Sequence, residues 1–314
     1  MHDLPASPLV ASPYQLASTR HGPMLVNPND LYMGQSFLRY GECCEQEIQT
    51  LLQFLSHPQR LPGMVVEVGS NMGVHTIPLA RELARQGRSL LAFEPQPVIF
   101  QQLCANLALN GLMNVAAFPY ACSAQSGTLC FDLPDYRSPG NFGGTILRDF
   151  PANSLSTPST SVPCFPLDTL VPELPVALIK IDVEGHELRV LQGAERIVTR
   201  SHPILYVEND RVDQSPQLIG WLLNQGYRLW WHITRAFNPA NMRNNQHNIY
   251  GDVSLMNMVC LHPSHNITLQ GLPEIIGTED HPLTSGLAKS VFTPAAANAG
   301  QTREPGGTPC AALR

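Results

Sequence analysis

No part of the chain constrains its fold more than the segment Met64-Val65-Val66-Glu67-Val68-Gly69-Ser70-Asn71-Met72-Gly73. A short apolar run meets an acid and a glycine turn, and helical spacing follows from Val74 to Gln86, with Pro78 tolerated in the first turns. This reads as strand, turn, helix. The unit recurs as strand Ser89 to Glu94, helix Pro97 to Leu109 closed by Asn110-Gly111, and strand Val115 to Tyr120. Further on come strand Val176 to Asp182, helix Glu187 to Thr199, strand Ile204 to Glu208, helix Gln217 to Gln225, strand Tyr227 to Ile233 and a last run Leu255 to Leu261. Strands that alternate with helices pair in parallel, with right-handed crossovers and helices on both faces. The predicted fold is therefore α/β, doubly wound around a mostly parallel sheet.

The flanks read differently. Pro5, Pro8, Pro13, Pro23 and Pro28 predict an extended arm, and apolar spacing over Glu45 to Leu55 predicts a helix after it, so residues 1–60 form an arm and helical cover. Residues 61–270 form the main domain. Past about Gln270 periodicity stops and small polar residues dominate, which predicts a disordered tail over 271–314. Within the domain, residues 132–162 are too long for an ordinary connection and predict a lid that carries Asn141-Phe142-Gly143-Gly144.

Composition narrows the partners. The 314 residues carry a formal charge of −6 with scattered Lys and Arg, which argues against a nucleic-acid partner and for a small molecule or glycan. Neither a basic-then-apolar leader nor an apolar run long enough to span a bilayer occurs, so no membrane span and a cytoplasmic location are expected. Eight cysteines without CxxC spacing fit a reducing compartment and predict no zinc site.

Glu67, Gly69, Ser70, Asn71 and Gly73 stand where the first strand ends, the place at which an open parallel sheet offers its crevice. Their spacing is E-x-G-x-N-x-G and not G-x-G-x-x-G. An acid there repels a diphosphate but accepts hydrogen bonds from an ammonium group. Glu94, followed by Pro95, ends the second strand and is placed to accept the hydroxyls of a ribose. Adenosine without diphosphate points to S-adenosylmethionine; taken alone, the loop equally suits a tight turn with no ligand. The third strand end, Tyr120 to Ser123 with Ala121, is expected beside the adenine.

The turn Lys180-Ile181-Asp182-Val183-Glu184-Gly185-His186-Glu187 crowds titratable groups at the fourth strand end. Asp182 is the first candidate to handle a proton, with Glu184 and His186 beside it. Glu184 and Glu187 also suit a plain helix N-terminus. Asp182, Glu208 and Asn209 are a candidate set for a hard divalent ion such as Mg2+, or for direct hydrogen bonds to a polyol. His75 is a second imidazole near the crevice. Trp230, Trp231 and His232, with the Asn-rich stretch 238–248, predict a surface for a polar ring.

The segments VVEVGSNMGVHTIPLA, LLAFEPQPVIFQQLCANLALN, LIKIDVEGHELRVLQGA and HPILYVEND resemble the FkbM-type methyltransferases, over about Gly41 to Leu261. The resemblance implies a seven-stranded class I methyltransferase fold of Rossmann-like type, S-adenosylmethionine as donor, and O-methylation of sugar, glycan or natural-product hydroxyls. It implies that Glu67, Gly69, Asn71 and Gly73 form the donor loop, that Glu94 holds the ribose, and that Asp182, Glu184 and Glu187 form the acidic motif. Glu67 stands where Asp is common, and Ser70 where Ala is common. Two other readings remain: a noncatalytic S-adenosylmethionine-binding or scaffold protein, and a nucleotide-dependent oxidoreductase, which the glycine spacing disfavours.

Overall fold

The computed structural model describes residues 12–150, 158–267, 269–285 and 312–313. A hairpin of β1 (Gln15–Thr19) and β2 (Gly22–Val26) leads into α1 (Met33–Tyr40) and α2 (Glu45–Ser56). The alternating unit follows as β3 (Met64–Val68), α3 (Thr76–Arg85), β4 (Leu90–Phe93), α4 (Pro97–Leu109) and β5 (Val115–Phe118). A small sheet of β6 (Ala121–Cys122), β7 (Gly127–Asp132), β8 (Arg148–Asp149) and β9 (Ser159–Phe165) interrupts it. The winding resumes with α5 (Leu167–Leu170), β10 (Val176–Ile181), α6 (Glu187–Gln192), α7 (Glu195–Ser201), β11 (Ile204–Glu208), α8 (Ser215–Asn224), β12 (Arg228–Arg235) and β13 (Ser254–Leu261).

In the main sheet the order is β12-β13-β11-β10-β3-β4-β5, with a short strand Glu274–Ile275 added beyond β12. The strands from β5 to β11 run parallel, and β13 lies antiparallel between β11 and β12. This is the expected doubly wound α/β sheet, seven mostly parallel strands plus one short edge strand. The chain winds outward from β3 through β4 to β5, then returns to lay β10 on the other side of β3. The carboxyl ends of β3 and β10 therefore flank the point where winding direction reverses, and a crevice opens there.

Period-two alternation assigns each strand residue to a face. Val65, Leu178, Tyr206, Trp230 and Val259 enter the core shared with α1 to α4, while Val66, Ile179, Leu205, Trp231 and Met258 enter the core shared with α5 to α8. Glu67 and Lys180, paired across β3 and β10, share the first face, as do Asp182, Glu208, His232 and Asn257 by their spacing along the strands. One face of the sheet thus turns polar toward its carboxyl end.

Three expectations for the flanks need revision. The first residues are no loose arm from residue 12 onward: Ala17, Met24 and Val26 are buried, and Leu25 is held through its N–H and carbonyl by Asn106 and Gln102. The tail is placed as far as 285, because Ile275 pairs with Leu229 and His281 packs edge-on against Trp231. Single apolar residues spaced by turns leave no periodicity to read. The lid region is partly sheet, since β8 and the start of β9 fall inside it. Residues 1–11, 151–157 and most of 286–314 lie outside the described residues. Among the described residues no helix is long and apolar enough to cross a membrane.

Gly69 sits at φ 83°, and a Cβ there would stand 1.8 Å from the carbonyl oxygen of Asp182. Gly87, at φ 66°, has nothing within 4 Å of such a Cβ. Gly69→Ala should therefore cost several kcal/mol of stability in urea denaturation, whereas Gly87→Ala should cost only about 1–2 kcal/mol for its left-handed backbone. Equal losses would show that the close approach at Gly69 is not made.

Candidate active site

At the centre of the polar face lies Lys180, one of two lysines in the sequence and 1% exposed. Its Nζ donates to Asp182 Oδ2 at 3.0 Å. Beside it Glu67 is fully buried; its Oε2 accepts from Thr76 Oγ1 at 2.6 Å, and its Oε1 has no partner. Burial pushes the Glu67 carboxyl up to about 7, against the pull of the Lys180 charge and the Thr76 bond. Burial also weighs against the Lys180 ammonium, but Asp182, Glu67 and Glu47 together hold it well above its ordinary value. Next to this row Tyr206 Oη meets His232 Nδ1 at 2.8 Å, and His232 Nε2 meets Thr50 Oγ1 at 3.3 Å.

Above the row runs the crevice, floored by Gly69, Asn71, Glu94, Pro95, Asp182 and Val183. Glu94 is fixed by two backbone donors, Asn71 N–H to Oε2 at 2.9 Å and Gln96 N–H to Oε1 at 2.8 Å. Burial raises its carboxyl to about 7 even so. Met33 of α1 and Gly143, Thr145 and Leu147 of the 132–162 segment, which here forms a cover over the site, close the crevice to about 60 Å³. Gln96 latches that cover: its Nε2 donates to Phe142 O at 2.9 Å, and its Oε1 accepts from Tyr136 Oη at 2.9 Å and Thr145 Oγ1 at 3.2 Å.

A second pocket of about 320 Å³ adjoins the crevice and shares Met33, Gly143, Asp182 and Glu184 with it. Glu47, Glu208 and Asp210 add acids to its wall, and no Lys or Arg lines it. Tyr250 and Val253 close its far side. The loop that leads to them is knitted to the N-terminal region by Asn238 and Met242, which both donate to the Glu42 carboxylate.

Where the pockets meet, neighbouring carboxyls are driven apart. Burial favours the neutral form of Asp182, but the charge and hydrogen bond of Lys180 outweigh it and hold the carboxyl below its usual value. Glu208 is raised well above its usual value by burial and then by the Asp182 charge, and its neighbourhood helps hold Asp182 low. Glu184 is raised to about 7 by burial and the Asp182 charge, while Arg211, whose Nη2 lies 2.6 Å from Glu184 Oε2, pulls it down. One carboxylate is thus fixed in charge, and another titrates near neutrality.

Of the residues singled out in the sequence, Gly69, Asn71, Glu94, Pro95 and Asp182 line the crevice, and Glu184 lines both pockets. The others are placed elsewhere. Glu67 lies fully buried beneath the crevice, beside Lys180 and Thr76. The Ser70 hydroxyl donates to Glu67 O at 3.3 Å, Gly73 packs near Leu103 and Ile77, and Ala121 is buried in β6. His75 faces Glu47 Oε2 at 3.0 Å. His186 meets Ser123 Oγ at 3.0 Å and opens on a third cavity of about 640 Å³ beside Arg189 and Gln214, which Glu184 also lines; burial lowers the His186 pKa to about 4. Glu187 caps its own turn by accepting from the N–H groups of Val183 and Gly185.

The metal set Asp182, Glu208 and Asn209 does not converge. Asn209 follows Glu208 by one residue, so its side chain turns to the opposite face, where Nδ2 donates to Ser215 Oγ at 2.9 Å and lies 3.3 Å from Met258 Sδ. Trp230, Trp231 and His232 are likewise no surface: all three are buried in β12. Sequence reasoning passed over Gln96, Glu47 and Lys180. For Lys180 a signal existed, since an ammonium inside the apolar strand Ala177-Leu178-Ile179-Lys180-Ile181 demands acids on the same face.

Residues 67–229, just over half of the chain, match the family model described as the methyltransferase FkbM domain. Among curated proteins, methyltransferase sdnD of Sordaria araneosa is 29% identical over 170 residues, covering 42% of this chain and 60% of its own. Hexuronic acid methyltransferase AglP of Haloferax volcanii is 30% identical over 149 residues, covering 46% of this chain and 55% of its own. The matches thus span no more than about three fifths of these relatives. A solved FkbM methyltransferase from Methylobacillus flagellatus superposes loosely, at a TM-score of 0.43 and 16% identity, over 67% of this chain and 47% of that one.

The buried acids set a pH dependence of stability. Glu67, Glu94 and Glu187 hold protons up to about 7 in the folded protein but release them near 4.5 when unfolded. The folded state then binds more protons in that window, so stability falls as pH rises through it. His186, lowered from 6.5 to about 4, acts in the opposite sense only below 6.5. The urea midpoint should therefore drop between about pH 6.5 and 7.5, and drop less in Glu67→Gln. A midpoint that rises over this interval would contradict the burial of these acids.

Proposed function

The chain belongs to the FkbM methyltransferase family, and from that premise we propose that it transfers the methyl group of S-adenosylmethionine to a hydroxyl of a neutral, polyhydroxylated small molecule or glycan. The observation that carries the reading is the meeting of two cavities at Asp182 and Glu184. On the crevice side, Glu94 is fixed by backbone donors at the second strand end, with its remaining lone pairs suited to two ribose hydroxyls. The acids Glu94, Asp182 and Glu184 suit a ligand that carries sulfonium and ammonium charges. A void of about 60 Å³ is too small for an adenosyl group, so entry requires Gln96 to release the cover.

The donor supplies an electrophilic methyl group; the chain's own residues do the rest. Lys180 keeps Asp182 ionised beside the place where positive charge resides. Glu184, titrating near 7, suits removal of the acceptor's proton, since a base is most useful when its pKa lies near the working pH. The hydroxyl oxygen forms the new bond to the methyl carbon, the sulfur keeps the electron pair of the broken bond, and the proton goes to Glu184. The cover excludes water. His186, turned toward Ser123, takes no part in this scheme.

The name of the Haloferax relative supports a sugar-like acceptor, but the wall of Glu47, Asp182, Glu184, Glu208 and Asp210 opposes a uronate carboxylate. A neutral polyol accepts and donates along such a wall without charge conflict. The same wall disfavours nucleic acid. The described cysteines are unpaired, which supports a reducing, cytoplasmic setting.

Asp182→Asn should lower turnover by about 100-fold or more and also weaken S-adenosylmethionine binding in calorimetry, since it removes the fixed charge beside the sulfonium and leaves Lys180 without its hydrogen-bonded partner. Glu94→Gln should weaken that affinity by about 10- to 100-fold. The kcat/KM of the wild type should rise as pH passes through about 7, as Glu184 loses its proton, and Glu184→Gln should abolish that rise. An Asp182→Asn enzyme with unchanged turnover would eliminate the scheme. Tight donor binding with no S-adenosylhomocysteine formed from any alcohol would favour a noncatalytic binding protein.

A further inference from the structure

Cys44 and Glu47 line the second pocket, and buried His75 lies against Glu47; none of the three handles a proton in the scheme above. Cys44 is the N-cap residue of α2, Glu47 lies in the first turn of α2, and His75 is the N-cap residue of α3. Neither N-cap side chain caps its helix. Cys44 also adopts a left-handed backbone at φ 53°, a conformation that costs a non-glycine residue about 1–2 kcal/mol. Both side chains turn to one point instead: the Cys44 thiol, a Glu47 carboxylate oxygen and a His75 imidazole nitrogen all lie within 4.8 Å of one another.

The donor set is supported from outside. Asn257 Nδ2 donates to Glu47 Oε1 at 2.9 Å, which fixes the carboxylate and leaves Oε2 to face His75. Cys44 and Glu47 line the second pocket, and so does Glu208, whose Oε2 is buried without a partner. We propose that Cys44, Glu47 and His75 bind a borderline divalent cation of the Zn2+ class, with its open coordination position toward the second pocket. Sulfur with imidazole nitrogen selects such an ion over Mg2+, and three protein ligands with a fourth position open is the pattern of ions that bind substrate oxygen. The ligand taken at that position is a hydroxyl of the methyl acceptor; this last step rests on the transfer reading, whereas binding of the ion does not. The absence of CxxC spacing does not bear on this set, because its members come from the starts of two helices, α2 and α3.

The test uses the full chain, stripped with a chelator and titrated with Co2+ and then Zn2+. About one equivalent of Co2+ should bind, with a sulfur-to-cobalt charge-transfer absorption that Zn2+ displaces and Mg2+ does not. Cys44→Ser should erase the absorption and weaken Zn2+ binding by about 100-fold or more. Cys43→Ser, whose sulfur lies 3.5 Å from that of Cys44 but outside the cluster, should keep the absorption. X-ray absorption of the Zn2+-loaded wild type should show one sulfur among nitrogen and oxygen neighbours, which decides the matter even if a variant fails to fold. No absorption in the wild type, one that survives Cys44→Ser, or a sulfur-free shell overturns the proposal. Since no readout involves methyl transfer, failure here leaves the transfer reading standing, and failure to bind S-adenosylmethionine leaves the ion site standing.

Discussion

The structure depends on a single buried ammonium. Among the described residues Lys180 is the only Lys or Arg that is buried, and it lies in the middle of the sheet among Glu47, Glu67 and Asp182. Removing one partner from a buried ion pair costs roughly 3–5 kcal/mol, because the charge left behind has neither water nor a counter-ion. Lys180 is therefore what allows acids to occupy the carboxyl end of this face at all. Its bond to Asp182 does more than stabilise, since it keeps ionised a carboxylate that burial alone would neutralise.

From that constraint the site follows. Reversal of winding between β3 and β10 opens a crevice, and Gly69 lets the two strand ends approach so closely that a methyl group would not fit between them. Asp182 is placed on the rim by β10, two residues beyond Lys180 and on the same face. Glu184, in the turn that follows, escapes the full pull of Lys180 and titrates near neutrality. Two carboxylates two residues apart thus acquire different titration from their surroundings, Asp182 held ionised and Glu184 raised to about 7.

Much of this was legible in the sequence, for a definite reason. Strand and helix periodicity, with glycine turns, reports backbone class, and it located β3 to β5 and β10 to β13 within a few residues. Gly69, Glu94 and Asp182 could be placed at strand ends because parallel sheets put their crevice there. Side-chain direction was harder to read. Asn209 seemed a natural neighbour of Glu208 until parity put it on the other face, and nothing at the strand end announced that Glu67 would meet Thr76 and Lys180. The latch at Gln96 and the pairing of His75 with Glu47 join segments far apart in the chain, and no local pattern announces such contacts. Ile275 and His281 escaped notice because each acts alone on a finished sheet edge.

The central claim is that the donor's adenosyl group occupies the crevice over Gly69 and presents its sulfur beside Asp182. A crystal structure of the complex with S-adenosylhomocysteine tests it directly. Both ribose hydroxyls should lie within hydrogen-bond distance of the Glu94 carboxylate, with the cover lifted from Gln96 and the sulfur at the junction with the acidic pocket. Adenosyl density in the larger cavity beside His186, with Glu94 still bonded only to its own backbone, would contradict the account.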